Sequence, residues 1–171
     1  MPRIVDASIV RALKTFGGVV VEGARAVGKT TTALRHAHSV VRMDSSPPLI
    51  ALAETAPAEV LAGATPRLID EWQLAPTLWN AARHAVDERG LAGQFLFTGS
   101  ATPADDVTRH SGAGRFGRVR LRTMSLAESQ DSIAAVRFDD VLAGRDLAAF
   151  GGPSVRDYAT AIVRGGWPVL V

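Results

Sequence analysis

Apolar positions along the chain alternate between two periods. From Asp6 they recur at helical spacing, at Ile9, Val10, Leu13 and Phe16, and stop at Gly17 and Gly18. This predicts a helix that Asp6 caps and the glycine pair ends. Val19-Val20-Val21-Glu22 follows as a short β-branched strand that the helix would cover. Val40 to Met43 reads as a second strand, ending at Asp44. Ser45-Ser46-Pro47-Pro48 marks a helix start, because proline is tolerated in a first turn. That helix runs through Leu49, Leu52 and Ala53, breaks near Pro57, resumes weakly to Leu61, and closes at Gly63. Arg67-Leu68-Ile69 is an apolar strand ending in Asp70 and Glu71. Pro76 opens a helix with Leu78, Trp79, Ala82, Ala85 and Val86 on one face, ended by Gly90. Gln94 to Thr98 is a strand of the fully buried kind that runs into Gly99-Ser100. A polar stretch from Asp105 to Gly117 precedes a fifth strand around Val119-Arg120-Leu121. Ser125-Leu126-Ala127-Glu128 has capping-box spacing and predicts a helix start, with the remainder helical and less patterned. Ser154 with Asp157 predicts one more capped helix, to about Arg164.

Strands alternating with helices predict an α/β fold: about five mostly parallel strands with helices on both faces. The length of 171 residues suits one domain with a sizeable core, or one domain plus a fragment. We expect a core over residues 1–130 and a helical extension over 131–171. The apolar end, Gly165-Gly166-Trp167-Pro168-Val169-Leu170-Val171, carries the expectation that the chain is the front part of a longer protein. No apolar run approaches the roughly 18 residues of a membrane span. With no cysteine in the chain, disulfides and thiolate metal sites are excluded, and a cytoplasmic location is the expectation.

The stretch between the first strand and the next helix carries the chemistry. Gly23-Ala24-Arg25-Ala26-Val27-Gly28-Lys29-Thr30 reads G-x-x-x-x-G-K-T, a phosphate-binding loop in the strand–loop–helix setting the motif needs. Its glycines let successive N–H groups turn inward around an anion, and the following helix, opening at about Gly28, points its positive end the same way. The nucleotide-binding set is therefore Gly23, Ala24, Arg25, Ala26, Val27, Gly28, Lys29, Thr30 and Thr31. Lys14 and Lys29 are the only lysines, so Lys29 is not one of many surface cations. Its compact ammonium suits the β- and γ-phosphates of ATP, and the Thr30 hydroxyl suits Mg²⁺.

Asp70 and Glu71 end the third strand, the Walker B arrangement. Asp70 would complete the metal site with Thr30, and Glu71 would orient and polarise an attacking water. Thr98 and Ser100 end the next strand, at the sheet edge that lines the ligand crevice, where a hydroxyl can bond the water or the γ-phosphate. The net charge of +2 is too small to argue for nucleic acid. Residues 109–122, however, hold Arg109, Arg115, Arg118, Arg120 and Arg122 without an acid. Three readings stay open: a solvated basic face, a phosphate-sensing arginine (Arg115 or Arg118) acting in cis or from a neighbouring subunit, and a nucleic-acid contact. Trp72 and Trp79 read as packing residues, and the four histidines show no ligand spacing.

The segments GARAVGKTTTA, RLIDEWQLAPTLW, FLFTGSATP and RHSGAGRFGRVRLRTMSLAES occur in that order. Together they resemble the AAA+-type, STAND-related ATPases of bacteria and archaea, which join an N-terminal ATPase core to a C-terminal domain of unknown function. The resemblance runs from about Asp6 to Pro168 and implies a P-loop NTPase three-layer sandwich that hydrolyses ATP with Mg²⁺. It implies a sensor-like position at Thr98 to Ser100, and Arg115 matches the family's Gly-Arg before the fifth strand. Thr123 stands where the family usually has proline. Gly165 to Pro168 matches the point where the family continues towards its C-terminal domain, through which a partner protein or a homo-oligomer is expected. A small-molecule kinase and an ATP-dependent nucleic-acid-binding module are the alternatives; no membrane partner is expected.

Overall fold

The computed structural model describes residues 2–99, 112–146 and 152–171. Contacts divide the chain into two compact units, Ile4–Arg122, and Met1–Arg3 with Thr123–Val171. The first unit is built on one sheet of five parallel strands, β1 (Gly18–Glu22), β2 (Ser39–Arg42), β3 (Arg67–Asp70), β4 (Phe95–Thr98) and β5 (Phe116–Arg120). Their spatial order is β2-β3-β4-β1-β5. Among the described residues of this unit the α-helices are α1 (Asp6–Thr15), α2 (Lys29–Leu34), α3 (Pro47–Thr55), α4 (Pro57–Leu61) and α5 (Thr77–Arg89).

The sheet is covered on both faces, which is why its central strands read as apolar runs and not as alternations. One face sends Val20, Ile69, Phe95, Phe97 and Phe116 into a core with Leu78, Trp79, Ala82 and Val86 of α5 and Ala53, Val60 and Leu61 of α3 and α4. The alternate residues Val19, Val21, Leu68 and Leu96 are fully buried on the other face, where α1 and α2 contact the strands. Aromatic rings dominate the first core. Trp72 stacks on Trp79 with centroids 5.1 Å apart, and Trp79 lies 4.5 Å from Phe116 and 5.8 Å from Phe97. Gly17 and Gly18, expected only to end α1, serve this packing. A Cβ on Gly17 would stand 2.2 Å from Val86 Cγ1, and one on Gly18 2.5 Å from the Phe116 ring.

Several helix ends differ from expectation. Asp6 does not cap α1: the cap position is Val5, and the Asp6 carboxylate in the first turn pairs with Arg35 and with His36 Nε2 at 2.9 Å. Two basic side chains past the end of α2 thus hold the carboxylate that a cap would have used. Ser46 occupies the cap of α3 without a side-chain bond. Pro48 removes the amide at the second helical position, and the third, Leu49 N, donates to the Ser46 carbonyl at 3.1 Å and not to its hydroxyl. β5 begins at Phe116, earlier than expected, because its buried Phe116, Gly117 and Val119 are interleaved with exposed Arg118 and Arg120 on an edge strand.

In the second unit the Ser125–Glu128 box forms, with Ser125 N donating to Glu128 Oε2 at 2.8 Å and Glu128 N to Ser125 Oγ at 3.3 Å. No helix follows it. Residues 126–130 make a turn that ends at Gln130 with φ 65°, where Ser129 Oγ donates to Asp131 Oδ2 at 2.5 Å. Closely spaced Ser129, Asp131 and Ser132 offer the backbone local bonds that compete with a helical ladder. Arg3 Nε donates to the other Glu128 oxygen at 2.9 Å. Beyond this turn the described residues hold two helices, α6 (Phe138–Leu142) and α7 (Val155–Arg164). The Ser154–Asp157 box caps α7 as the spacing predicts. No helix among the described residues is long and apolar enough to cross a membrane.

Phe97 is fully buried and touches Trp72, Trp79, Phe95 and Phe116. Phe97→Ala should lower unfolding free energy by about 3–5 kcal/mol in a urea titration. A loss below about 1 kcal/mol would show that the aromatic layer is not the core of this sheet.

Candidate functional site

The carboxyl ends of β1, β3 and β4 meet at one edge of the sheet. Register pairs Asp70 with Thr98 and Thr98 with Val21, so three strand ends stand side by side. From β1 the chain enters the loop Gly23 to Gly28. Gly23 takes φ 157°, Ala26 φ 62° and Gly28 φ 95°. Gly23 is needed for space as well, since a Cβ there would lie 2.4 Å from the Leu121 carbonyl oxygen. Ala24, Arg25 and Ala26 form the exposed crest, while Val27 is buried and fixes the base of the loop. Gly28 stands in left-handed conformation at the cap of α2, which opens at Lys29.

Lys29 is 6% exposed, and its Nζ donates to the carbonyl oxygens of Gly23 and Ala24, each at 2.9 Å. Burial pushes its pKa down, while the charges of Glu71 and Asp70 pull it back up. The ammonium is thus kept in a dry loop by backbone dipoles and by two carboxylates. Thr31 is exposed on the first turn of α2. Thr30 Oγ1 donates to Asp70 Oδ1 at 2.8 Å, and Thr98 Oγ1 donates to the same oxygen at 2.5 Å. Asp70 is 5% exposed and Thr98 is fully buried. Glu71, the residue after β3, has left-handed backbone, φ 53° and ψ 41°. Its carboxylate accepts from Nε2 of Gln73, which lies in the 3₁₀ turn Trp72–Leu74. Gln73 leaves a single mark in the sequence, a long amide two residues past an acid at a strand end.

Of the expected site residues, the structure brings together Gly23 to Thr31, Asp70, Glu71 and Thr98. Ser100 and Arg109 lie outside the described residues. Arg115 lies elsewhere. It immediately precedes β5, whose Phe116 pairs with Gly18 at the start of β1, and Gly18 N donates to the Arg115 carbonyl at 3.1 Å. The loop leaves the far end of β1, roughly 16 Å away at about 3.3 Å per residue. The Arg115 guanidinium pairs with Asp87 of α5, Nε to Oδ1 at 2.8 Å and Nη2 to Oδ2 at 3.3 Å. This bond holds the Asp87 carboxyl below its ordinary pKa and raises that of Arg115. A phosphate-sensing role for Arg115 within its own chain does not fit this placement. Arg118, halfway along β5, pairs with Glu22. Trp72 and Trp79 are buried packing residues, as their positions suggest.

Chemically, Thr30 and Asp70 present hard oxygen donors at the mouth of a glycine loop. Among the described residues there is no group of three His, Cys, Asp or Glu fit to hold a metal by itself. Such a donor set fits Mg²⁺, which keeps several waters and is bound by one or two protein oxygens together with phosphate.

Comparison with curated proteins gives no match. A family model described as an AAA domain matches residues 16–130. That span is well over half of the 171 residues and takes in the glycine loop, Asp70, Glu71 and Thr98. The chain, with its five-stranded parallel sheet and helices on both faces, belongs to this AAA domain family.

Proposed function

We propose that the chain binds ATP with Mg²⁺ and hydrolyses it, and that nucleotide state sets the conformation of the core. The observation that carries this reading is the convergence of the Thr30 and Thr98 hydroxyls on Asp70 Oδ1, next to a lysine buried under a glycine loop. Backbone N–H groups between Gly23 and Thr31 would meet the phosphates, and Lys29 would exchange its carbonyl partners for phosphate oxygens. Thr30 and Asp70 would hold Mg²⁺, which would supply positive charge to offset that of the phosphates. Glu71, free of the strand ladder, accepts a proton from the attacking water. Thr98 holds Asp70 in line and stands at the edge that senses the γ-phosphate. The segment beyond residue 130 leads, in this reading, towards a STAND-like C-terminal domain that reads the core's state in the cytoplasm. Free phosphate as product separates this reading from a kinase, which would leave a phosphorylated acceptor.

Lys29→Ala should weaken ATP binding about tenfold or more, ~1.4 kcal/mol, or abolish turnover. Equal affinity by titration and equal phosphate release in mutant and wild type would remove the loop from nucleotide binding. Glu71→Gln keeps shape and loses charge. It should retain ATP affinity while phosphate release falls by about 10²–10⁴-fold, the usual share of a general base. An unchanged rate excludes Glu71 as the base. Arg115 can reach a phosphate only from a second copy. Activity per chain should then rise with protein concentration, and Arg115→Ala should remove about 10³-fold from the assembled form. If turnover is independent of concentration and indifferent to the mutation, the arginine belongs to a solvated basic face.

A further inference from the structure

We propose that Gln73 is the positioning residue for the Glu71 carboxylate, and that the bare backbone of Gly99 holds it in place. The proposal rests on the reading of Glu71 as the group that meets the attacking water.

Glu71 needs an external support. It has left the β3 ladder, its backbone is left-handed, and its side chain has three torsions. Gln73 supplies one. The turn that carries it is closed by Leu74 N on Glu71 O at 3.1 Å and Ala75 N on Trp72 O at 3.0 Å. The turn is anchored by Trp72, 4% exposed and stacked on Trp79. From this rigid base Gln73 Nε2 donates to Glu71 Oε2. Glu71 Oε1 stays available to accept from a water, because an ionised carboxylate has acceptor sites on both oxygens.

The other arm of the amide shows what orients it. Gln73 Oε1 is buried and has no hydrogen-bond partner. Turning the amide over would not relieve this, because it would set the carbonyl oxygen against the carboxylate. The arm that meets Glu71 must donate, so the burial of an unpaired oxygen follows from that requirement. The oxygen lies against Gly99, where a Cβ would stand 2.1 Å away. Gly99 follows Thr98, the residue that bonds Asp70. The amide is therefore wedged between the ends of β3 and β4, and its position is set by the two strands that also set Asp70.

The experiment uses the purified chain and compares wild type with Gln73→Ala, Gly99→Ala, Glu71→Gln, and Gln73→Ala combined with each of the other two. Gly99→Ala displaces only the tip of a flexible side chain, so it should fold while dislodging the amide. Gln73→Ala and Gly99→Ala should each lower kcat by on the order of 10²-fold, the effect of a small misplacement, with ATP affinity within about twofold of wild type. Neither loss should add to the other, and Gln73→Ala should not lower the residual rate of Glu71→Gln. An unchanged kcat in Gln73→Ala, a parallel loss of ATP affinity, or full additivity with Glu71→Gln overturns the proposal. Glu71→Gln inactive with Gln73→Ala active sinks the proposal alone; Glu71→Gln fully active sinks the reading beneath it. Should the wild type show no turnover, the side-chain amide resonances of Gln73, assigned by their loss in Gln73→Ala, decide. They should move in Glu71→Ala and Gly99→Ala while the remaining spectrum stays. Unmoved resonances overturn the proposal.

Discussion

One carboxylate oxygen ties the candidate site together. Asp70 Oδ1 accepts hydroxyl hydrogens from Thr30 and Thr98, so a strand end, a helix start and a second strand end share one acceptor. The bonds lie in a nearly dry setting, where a charged acceptor strengthens them and an unpaired hydroxyl would be costly. This constraint reaches back into the fold. Asp70 and Thr98 are brought opposite by parallel register, and that register needs helical crossovers and a sheet buried on both faces. The apolar strands are thus the means by which two polar residues far apart in sequence arrive within one hydrogen bond.

Lysine 29 depends on the same arrangement. Its ammonium is taken out of water by the loop, and only neighbouring dipoles and carboxylates keep the charged form favourable. Loop, lysine and acids are therefore one electrostatic unit. Without Asp70 and Glu71 only the carbonyls of Gly23 and Ala24 would oppose the cost of burying Lys29.

The parts of this structure that local rules govern were readable in advance. The first four strands, the glycine loop, the break near Pro57 between α3 and α4, and the Ser154 cap of α7 each depend on a few neighbouring residues. The acids of the site were readable because the loop gave them a context. Arg115 was misplaced for a topological reason. β4 ends at the carboxyl edge of the sheet while a parallel β5 starts at the amino edge, and Arg115, which immediately precedes β5, stands at that opposite edge. Asp6 and Ser125 show the complementary limit. A capping residue is defined by what its side chain finds, and Asp6 finds Arg35 and His36. Ser125 does find Glu128, but one turn later Ser129 and Asp131 divert the backbone. Gln73 escaped notice because a glutamine near a strand end has no periodicity to betray it.

The aromatic layer has a mechanical side. Trp72 adjoins Glu71 at one edge of the sheet, Phe116 adjoins Arg115 at the other, and Trp79 and Phe97 lie between them in contact with both. Each ring has two torsions and a fixed outline, and a close-packed interior leaves little room to turn one alone. A layer of methyl groups could yield to a shifted neighbour by changing rotamers. A layer of rings in contact has no such slack, so the two edges of the sheet, one carrying the acids and the other the paired arginine, are joined by side chains that shift together or not at all.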